Sequence, residues 1–262
     1  MIRAQALLLA AALCATTAFA QTSAAPATAP ASAPTTGPTT EQGLAALHAH
    51  QPQQALDIFE QVLRANPNDA AANLLAASAA LDLYKGDLAV QYATKARQLD
   101  PANWKIHTTL VVAYAEAGNT AQRDQERAIL HKLHDDPHAS DAMQTSGFLL
   151  DLFPVGQYHV EAIEFFHPVG SFHIYYRFIV HNAAGKPLWQ IDAESNDFDE
   201  VSWAKAYPQR AAAGERQFQL VGQGNGSETD YGMFSGKPDY DKFRALVVSA
   251  LQAQTTPFPG EK

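Results

Sequence analysis

The sequence predicts a two-part protein: an N-terminal all-α helix-turn-helix solenoid of about three repeats, followed by a small α+β domain, an antiparallel meander with a C-terminal helix. Three observations carry that prediction. Residues 41–136 are rich in alanine and leucine, with apolar positions at helical spacing. Within them two proline-terminated segments, ending at Pro67 and Pro101, stand 34 residues apart. Beyond about residue 140 the apolar period drops to two and β-branched and aromatic residues dominate.

Residues 1–20, MIRAQALLLAAALCATTAFA, read as a secretory signal peptide. Arg3 precedes an apolar run from Ala4 to Ala15, and Ala18-Phe19-Ala20 supplies the small-x-small cleavage pattern. The run is shorter than the roughly 20 apolar residues of a membrane span, and no later segment is long and apolar enough to span either. The expected product is exported, periplasmic or secreted, and soluble. Cys14 is the only cysteine, and Leu13 stands before it where acylation requires a small residue. The processed chain is therefore expected to hold no thiol, which excludes disulfides, thiolate zinc sites and cysteine nucleophiles. A formal net charge of −9, with no run of lysine or arginine, argues against nucleic-acid and anionic-membrane partners. Residues 21–40 are alanine, proline, threonine and serine without apolar periodicity, and their prolines block helix and sheet alike, so they read as a disordered linker.

In residues 41–136, QQALDIFEQVLRANPND and GDLAVQYATKARQLDPAN each place an alanine, Ala55 or Ala89, twelve residues before the proline. Ala55, Phe59, Val62 and Leu63 fall on one helix stripe, as do Ala89, Ala93 and Ala96. Small residues let paired helices approach closely, and the proline ends one pair and starts the next.

This stretch resembles the tetratricopeptide repeat family, antiparallel helix pairs stacked into a superhelix. Ala55-x3-Phe59 followed by Pro67 matches its second-helix pattern, and Gly43 matches the small residue of the first helix. In the second copy Ala93 replaces the aromatic and Ala77 the glycine. In the third, Leu110, Tyr114 and Gly118 match, Arg123 stands at the alanine position and Pro137 comes two residues late. The resemblance implies a concave groove lined by first helices that takes a peptide or protein partner. Its candidate residues here are Leu44, Leu47, Leu75, Ser78, Thr108, Thr109 and Val112, with Asn73 and Lys105 the counterparts of a carboxylate clamp.

Residues 140–254 match no family by their motifs. YHVEAIEFF, SFHIYYRFIVHN and PLWQIDAES read as three strands joined by HPVGS and NAAGK. RQFQLVG and ETDYGMF add two more around the tip GQGNGS. Phe243, Leu246, Val247 and Leu251 lie at helical spacing, an amphipathic helix for the sheet.

Four of the ten histidines, His159, His167, His173 and His181, fall in the two apolar runs of the first hairpin. A four-residue turn at PVGS would split them between faces. A three-residue turn, favoured for its tidier apolar pattern, puts all four on one face, pairs Glu161 with Arg177 and sends the even residues from Phe172 to Val180 to the core. In that register at most two histidines meet, fewer than the three or four ligands of a zinc site. DAESNDFDE, residues 192–200, lacks the glycine and distant glutamate of a calcium loop and reads as a solvated turn. GQGNGS has no helix behind it to face a phosphate, and no nucleophile elbow or HExxH pair is present. No catalytic, cofactor or metal residue is assigned. The expectation is a non-catalytic interaction protein or scaffold; the alternative is a small-molecule-binding or enzymatic C-terminal domain using strand histidines and acids.

Overall fold

The proline-rich segment ends in a helix cap. Thr39 Oγ1 accepts from Gln42 N at 3.3 Å while Gln42 Oε1 accepts from Thr39 N at 3.0 Å, a reciprocal capping box that starts α1, Thr40–His48. The computed structural model describes residues 37–136, 143, 145–195, 200–258 and 261. The segment read as a signal peptide, with Cys14, and residues 21–36 of the linker lie outside them.

Five further helices follow: α2 (Pro52–Ala65), α3 (Ala70–Asp82), α4 (Gly86–Leu99), α5 (Trp104–Glu116) and α6 (Thr120–Asp135). Pro52, Gly86 and Thr120 start at intervals of 34 residues, as do Ala70 and Trp104, so the repeat read from the prolines is also the repeat of the structure. Each helix packs on the next along the chain. Caps repeat with the helices: Asp69 Oδ1 accepts from Ala72 N at 2.9 Å, and Asn103 Oδ1 accepts from Lys105 N at 3.2 Å. Alanine explains the close packing: Ala72, Ala76, Ala77, Ala79 and Ala80 of α3 are fully buried between neighbouring helices.

The C-terminal half is a six-stranded antiparallel meander in the order β1–β6. Its strands are β1 (Gly147–Val155), β2 (Tyr158–Val169), β3 (Ile174–His181), β4 (Pro187–Ser195), β5 (Arg216–Gly224) and β6 (Ser227–Gly236). Short helices α7 (Glu200–Ala206) and α8 (Pro208–Ala212) join β4 to β5, and α9 (Tyr240–Ala253) covers one face through Tyr240, Phe243, Val247 and Leu251. Among the described residues no helix is long and apolar enough to cross a membrane.

Five strands were expected, and β1 is the addition. A bulge between Leu149 and Asp151 breaks its alternation, so Leu150, Asp151, Leu152 and Phe153 are all buried in succession. The bulge also makes β1 the joint of the molecule. Leu152 packs into the core of the second and third helix pairs, whereas Phe148, Leu150 and Phe153 join the sheet core, which reaches back to Val111 and Leu130.

The first predicted hairpin has a different register. His159 faces His181 directly, Glu161 faces Ile179 and Ile163 faces Arg177, two positions along from the favoured pairing. Beyond Glu164 and Tyr176, β2 bulges by several residues before Val169 meets Ile174, with Pro168, which has no N–H to give the ladder, inside the bulge. The parity is unchanged, so Tyr176, Phe178 and Val180 are buried as expected, but Phe172 sits in the turn, 63% exposed. The acidic stretch is likewise not a turn where it is described. Asp192, Glu194 and Ser195 are buried inside β4, and Arg177 of β3 grips both oxygens of Asp192 at 2.8 and 3.0 Å. Residues 196–199 of that stretch lie outside the described residues.

Candidate functional site

The residues assigned to the repeat groove divide by burial. Leu47 and Val112 are core, and Asn73, Thr108 and Thr109 are buried. Thr108, Thr109 and Ser78 each donate to the carbonyl four residues back, at 3.1, 2.9 and 3.2 Å. Asn73 Nδ2 donates to Pro67 O and Asp69 O, so its amide braces the turn between helix pairs. Leu44, Leu75, Ser78 and Lys105 keep part of their surface in solvent.

The densest polar chemistry runs along α6. Arg123, Arg127 and His131 recur at four-residue spacing on one side of the helix, continued by His134 and Asp135. Arg123, itself 3% exposed, donates to both oxygens of Asp241 at 2.8 and 2.9 Å and lies over the Tyr240 ring at 5.1 Å. Arg127 grips both oxygens of Glu164 at 2.7 and 3.0 Å and donates to the Tyr176 hydroxyl at 3.2 Å. His131 Nε2 is 3.0 Å from Glu164 Oε1. Burial alone would raise the Glu164 pKa, but the hydrogen bonds from His131 and Arg127 more than offset it and hold the carboxyl below its ordinary range. The Tyr176 hydroxyl is pushed up by burial and by the Glu164 charge. A cleft of about 460 Å³ opens here, bounded by Arg127, His131, Glu164, His167 and Tyr175.

These arginines stand at repeat positions. Arg123 is 34 residues after Ala89 and Arg127 is 34 after Ala93, so the third copy replaces two buried alanines by arginines, each paired with an acid of the C-terminal half. The departure at Arg123 was visible in the sequence; its partner, 118 residues away, was not.

The strand histidines take separate places. His181 is held between Gly185 O, 3.2 Å from Nδ1, and Glu161 Oε1, 3.4 Å from Nε2. Burial would lower its pKa, yet Glu161 and the carbonyl raise it overall. His173 occupies the β2–β3 turn at φ 51°. His167 lies in the β2 bulge and meets α6: its Nε2 is 3.2 Å from Asp135 Oδ1, and the same oxygen is 3.3 Å from His134 Nδ1. This meeting joins residues 32 apart in different elements, which no local spacing announces.

On β4, Glu194 has its pKa pushed up to about 7 by burial and by the charges of Asp192 and Glu228. The β5–β6 tip is a hairpin as read: Gly224 faces Ser227 across Asn225 and Gly226, at φ 49° and 77°.

No protein-family model matches the chain, and no curated protein matches it. Among solved structures the chain is similar to MamA MSR-1 C2, at 20% identity and a TM-score of 0.34, covering 36% of this chain and 53% of that one. It is also similar to the Sgt2 TPR domain from Aspergillus fumigatus, at 21% identity and a TM-score of 0.36, covering 42% of this chain and 76% of that one. The chain thus spans about half the length of the first of these. Its helical half is tetratricopeptide-like by its own register, helix pairs recurring every 34 residues.

Proposed function

We propose that this is an exported, non-catalytic interaction protein that offers the first-helix row of its repeats to a peptide or protein partner. One observation carries the reading: a 34-residue helix-pair stack whose last helix is locked to α9 by Arg123–Asp241 and to β2 by Arg127–Glu164. Such a stack is a preformed surface, and preorganisation lowers the ordering cost of binding. Leu44, Leu75, Ser78 and Lys105 are the groove residues with surface left for a partner. Export is supported by the apolar run and Ala18-Phe19-Ala20. Cross-linking with the processed chain as bait tests the groove. Partners recovered by the native chain are lost when Leu44 and Leu75 are both changed to arginine, with the thermal midpoint retained; equal recovery by the variant overturns the reading. An intact N-terminus at Met1 in the exported fraction would overturn export with cleavage.

A second reading gives the β half a small-molecule or catalytic role. Glu194 favours it, since a carboxyl titrating near neutrality is suited to acid–base work.

A further inference from the structure

We propose that His134, Asp135 and His167 form a binding site for a first-row divalent transition ion, zinc above all, at the seam between α6 and the end of β2. One ligand atom of each of the three residues lies within 4.8 Å of the other two. His134 Nδ1 and His167 Nε2 approach Asp135 Oδ1 at 3.3 and 3.2 Å. A tetrahedral zinc ion with bonds of about 2.0–2.1 Å spaces its ligand atoms about 3.3 Å apart. Two edges of such a tetrahedron are therefore already in place.

The donor set selects the ion. Two imidazoles and one carboxylate suit zinc, nickel or copper, whereas magnesium and calcium take oxygen ligands. Two imidazole nitrogens crowding a single carboxylate oxygen also compete as ion-pair partners, and one cation between the three satisfies all of them. The site is partly built. The His134 ring lies flat on Phe166, centroids 4.1 Å apart at 11°, and Phe166 is itself buried against the core. Asp135 and His167 have side chains 55% and 68% exposed, so the remaining coordination position opens to water or to an incoming ligand. A bound ion would tie the last repeat helix to the sheet next to the Arg127–Glu164 pair, a metal clasp across the joint of the two halves.

The test is a calorimetric titration of the purified chain with zinc chloride. The native chain is expected to bind one ion and to gain several degrees of thermal midpoint. His134→Ala, Asp135→Asn and His167→Ala should each weaken binding at least tenfold and abolish the thermal gain. His48→Ala, at an exposed position outside the cluster, should change neither, and magnesium should give no binding. All three cluster positions carry solvent-exposed surface, so the variants keep the fold, which unchanged circular dichroism checks. No zinc binding by the native chain, or equal binding by a variant lacking all three side chains, overturns the site.

Discussion

Asn73 and His107 occupy the same place in successive repeats, and each reaches the carbonyl of the proline six residues before it, Asn73 Nδ2 to Pro67 O at 3.3 Å and His107 Nε2 to Pro101 O at 2.9 Å. The third repeat adds a charge to this brace: His107 Nδ1 lies 2.7 Å from Glu126 Oε2, and Arg97 pairs with the other oxygen of Glu126. His107 and Glu126 are 3% and 2% exposed. Both ring nitrogens face acceptors, so the ring serves them best as the doubly protonated imidazolium. Burial opposes that charge, but Glu126 and the Pro101 carbonyl raise the pKa overall.

His107 should therefore contribute a pH-dependent part of the stability. Its folded pKa lies above the unfolded value, so the contribution is complete below about pH 6.5 and is lost as pH rises through the folded pKa. His107→Asn restores the residue of the preceding repeat and keeps the proline brace. It should cost less than His107→Ala, which leaves Pro101 O without its donor at about 1–3 kcal/mol. Urea midpoints of the three chains at pH 6 and pH 9 check this, with both variants less pH-sensitive than the native chain.

Gly43 meets Phe59 as no other residue can: a Cβ there would fall 2.4 Å from the ring, and Phe59 is fully buried. Gly43→Ala should destabilise by about 1–3 kcal/mol and Phe59→Ala by about 3–5 kcal/mol. The double variant recreates the Ala77 and Ala93 of the next repeat, so its cost should fall below the sum of the two. Thermal melts of the four chains measure that coupling.

Arg127→Met should cost about 3–5 kcal/mol, because it strips Glu164 of its bidentate partner in a buried setting. Adding Glu164→Leu should recover most of the loss. Asp241→Asn at the neighbouring pair should cost about 1 kcal/mol or less, since Asp241 is half exposed. Denaturant titrations of these variants rank the two locks.

Glu194→Gln should stabilise the protein above neutrality and change little at pH 5. The Glu194 pKa, raised to about 7, means its proton favours the folded state, so native stability declines as pH rises from the ordinary carboxyl range through 7. The gain at pH 8.5, read from thermal melts, should be about 1–2 kcal/mol.

The helical half was legible because its signals are local. Prolines 34 apart, alanine stripes and turn residues before each helix name the repeats without knowledge of any distant contact. The strands read from β2 onward were legible for the same reason, alternation over six or more residues. β1 was not, since its bulge at Leu150 replaces alternation by a continuous buried run that includes Asp151. The first hairpin's parity was readable from its even-numbered core residues, but its register depended on the bulge around Pro168. Asp192 looked solvated until Arg177 was placed beside it. The seam along α6 was half visible: arginine at a repeat's alanine position signals that something other than another repeat packs there. Its partners Glu164, His167 and Asp241 come from far along the chain, and only tertiary structure brings them in.

The topology also sets an order of assembly. Each helix packs on its neighbour in the chain and each strand pairs with the next, contacts that cost little loop-closure entropy. The last helix reaches far back along the chain: Asp241 meets Arg123 across 118 residues and Arg244 meets Asp151 across 93. Until Tyr240–Ala253 docks, the sheet presents Tyr176, Phe178 and Phe218 bare, the rings that Tyr240 and Phe243 later cover. A chain that folds as it emerges, N-terminus first, is thus most adhesive before Tyr240–Ala253 docks, and the arrival of that fourteen-residue helix decides between closure and self-association.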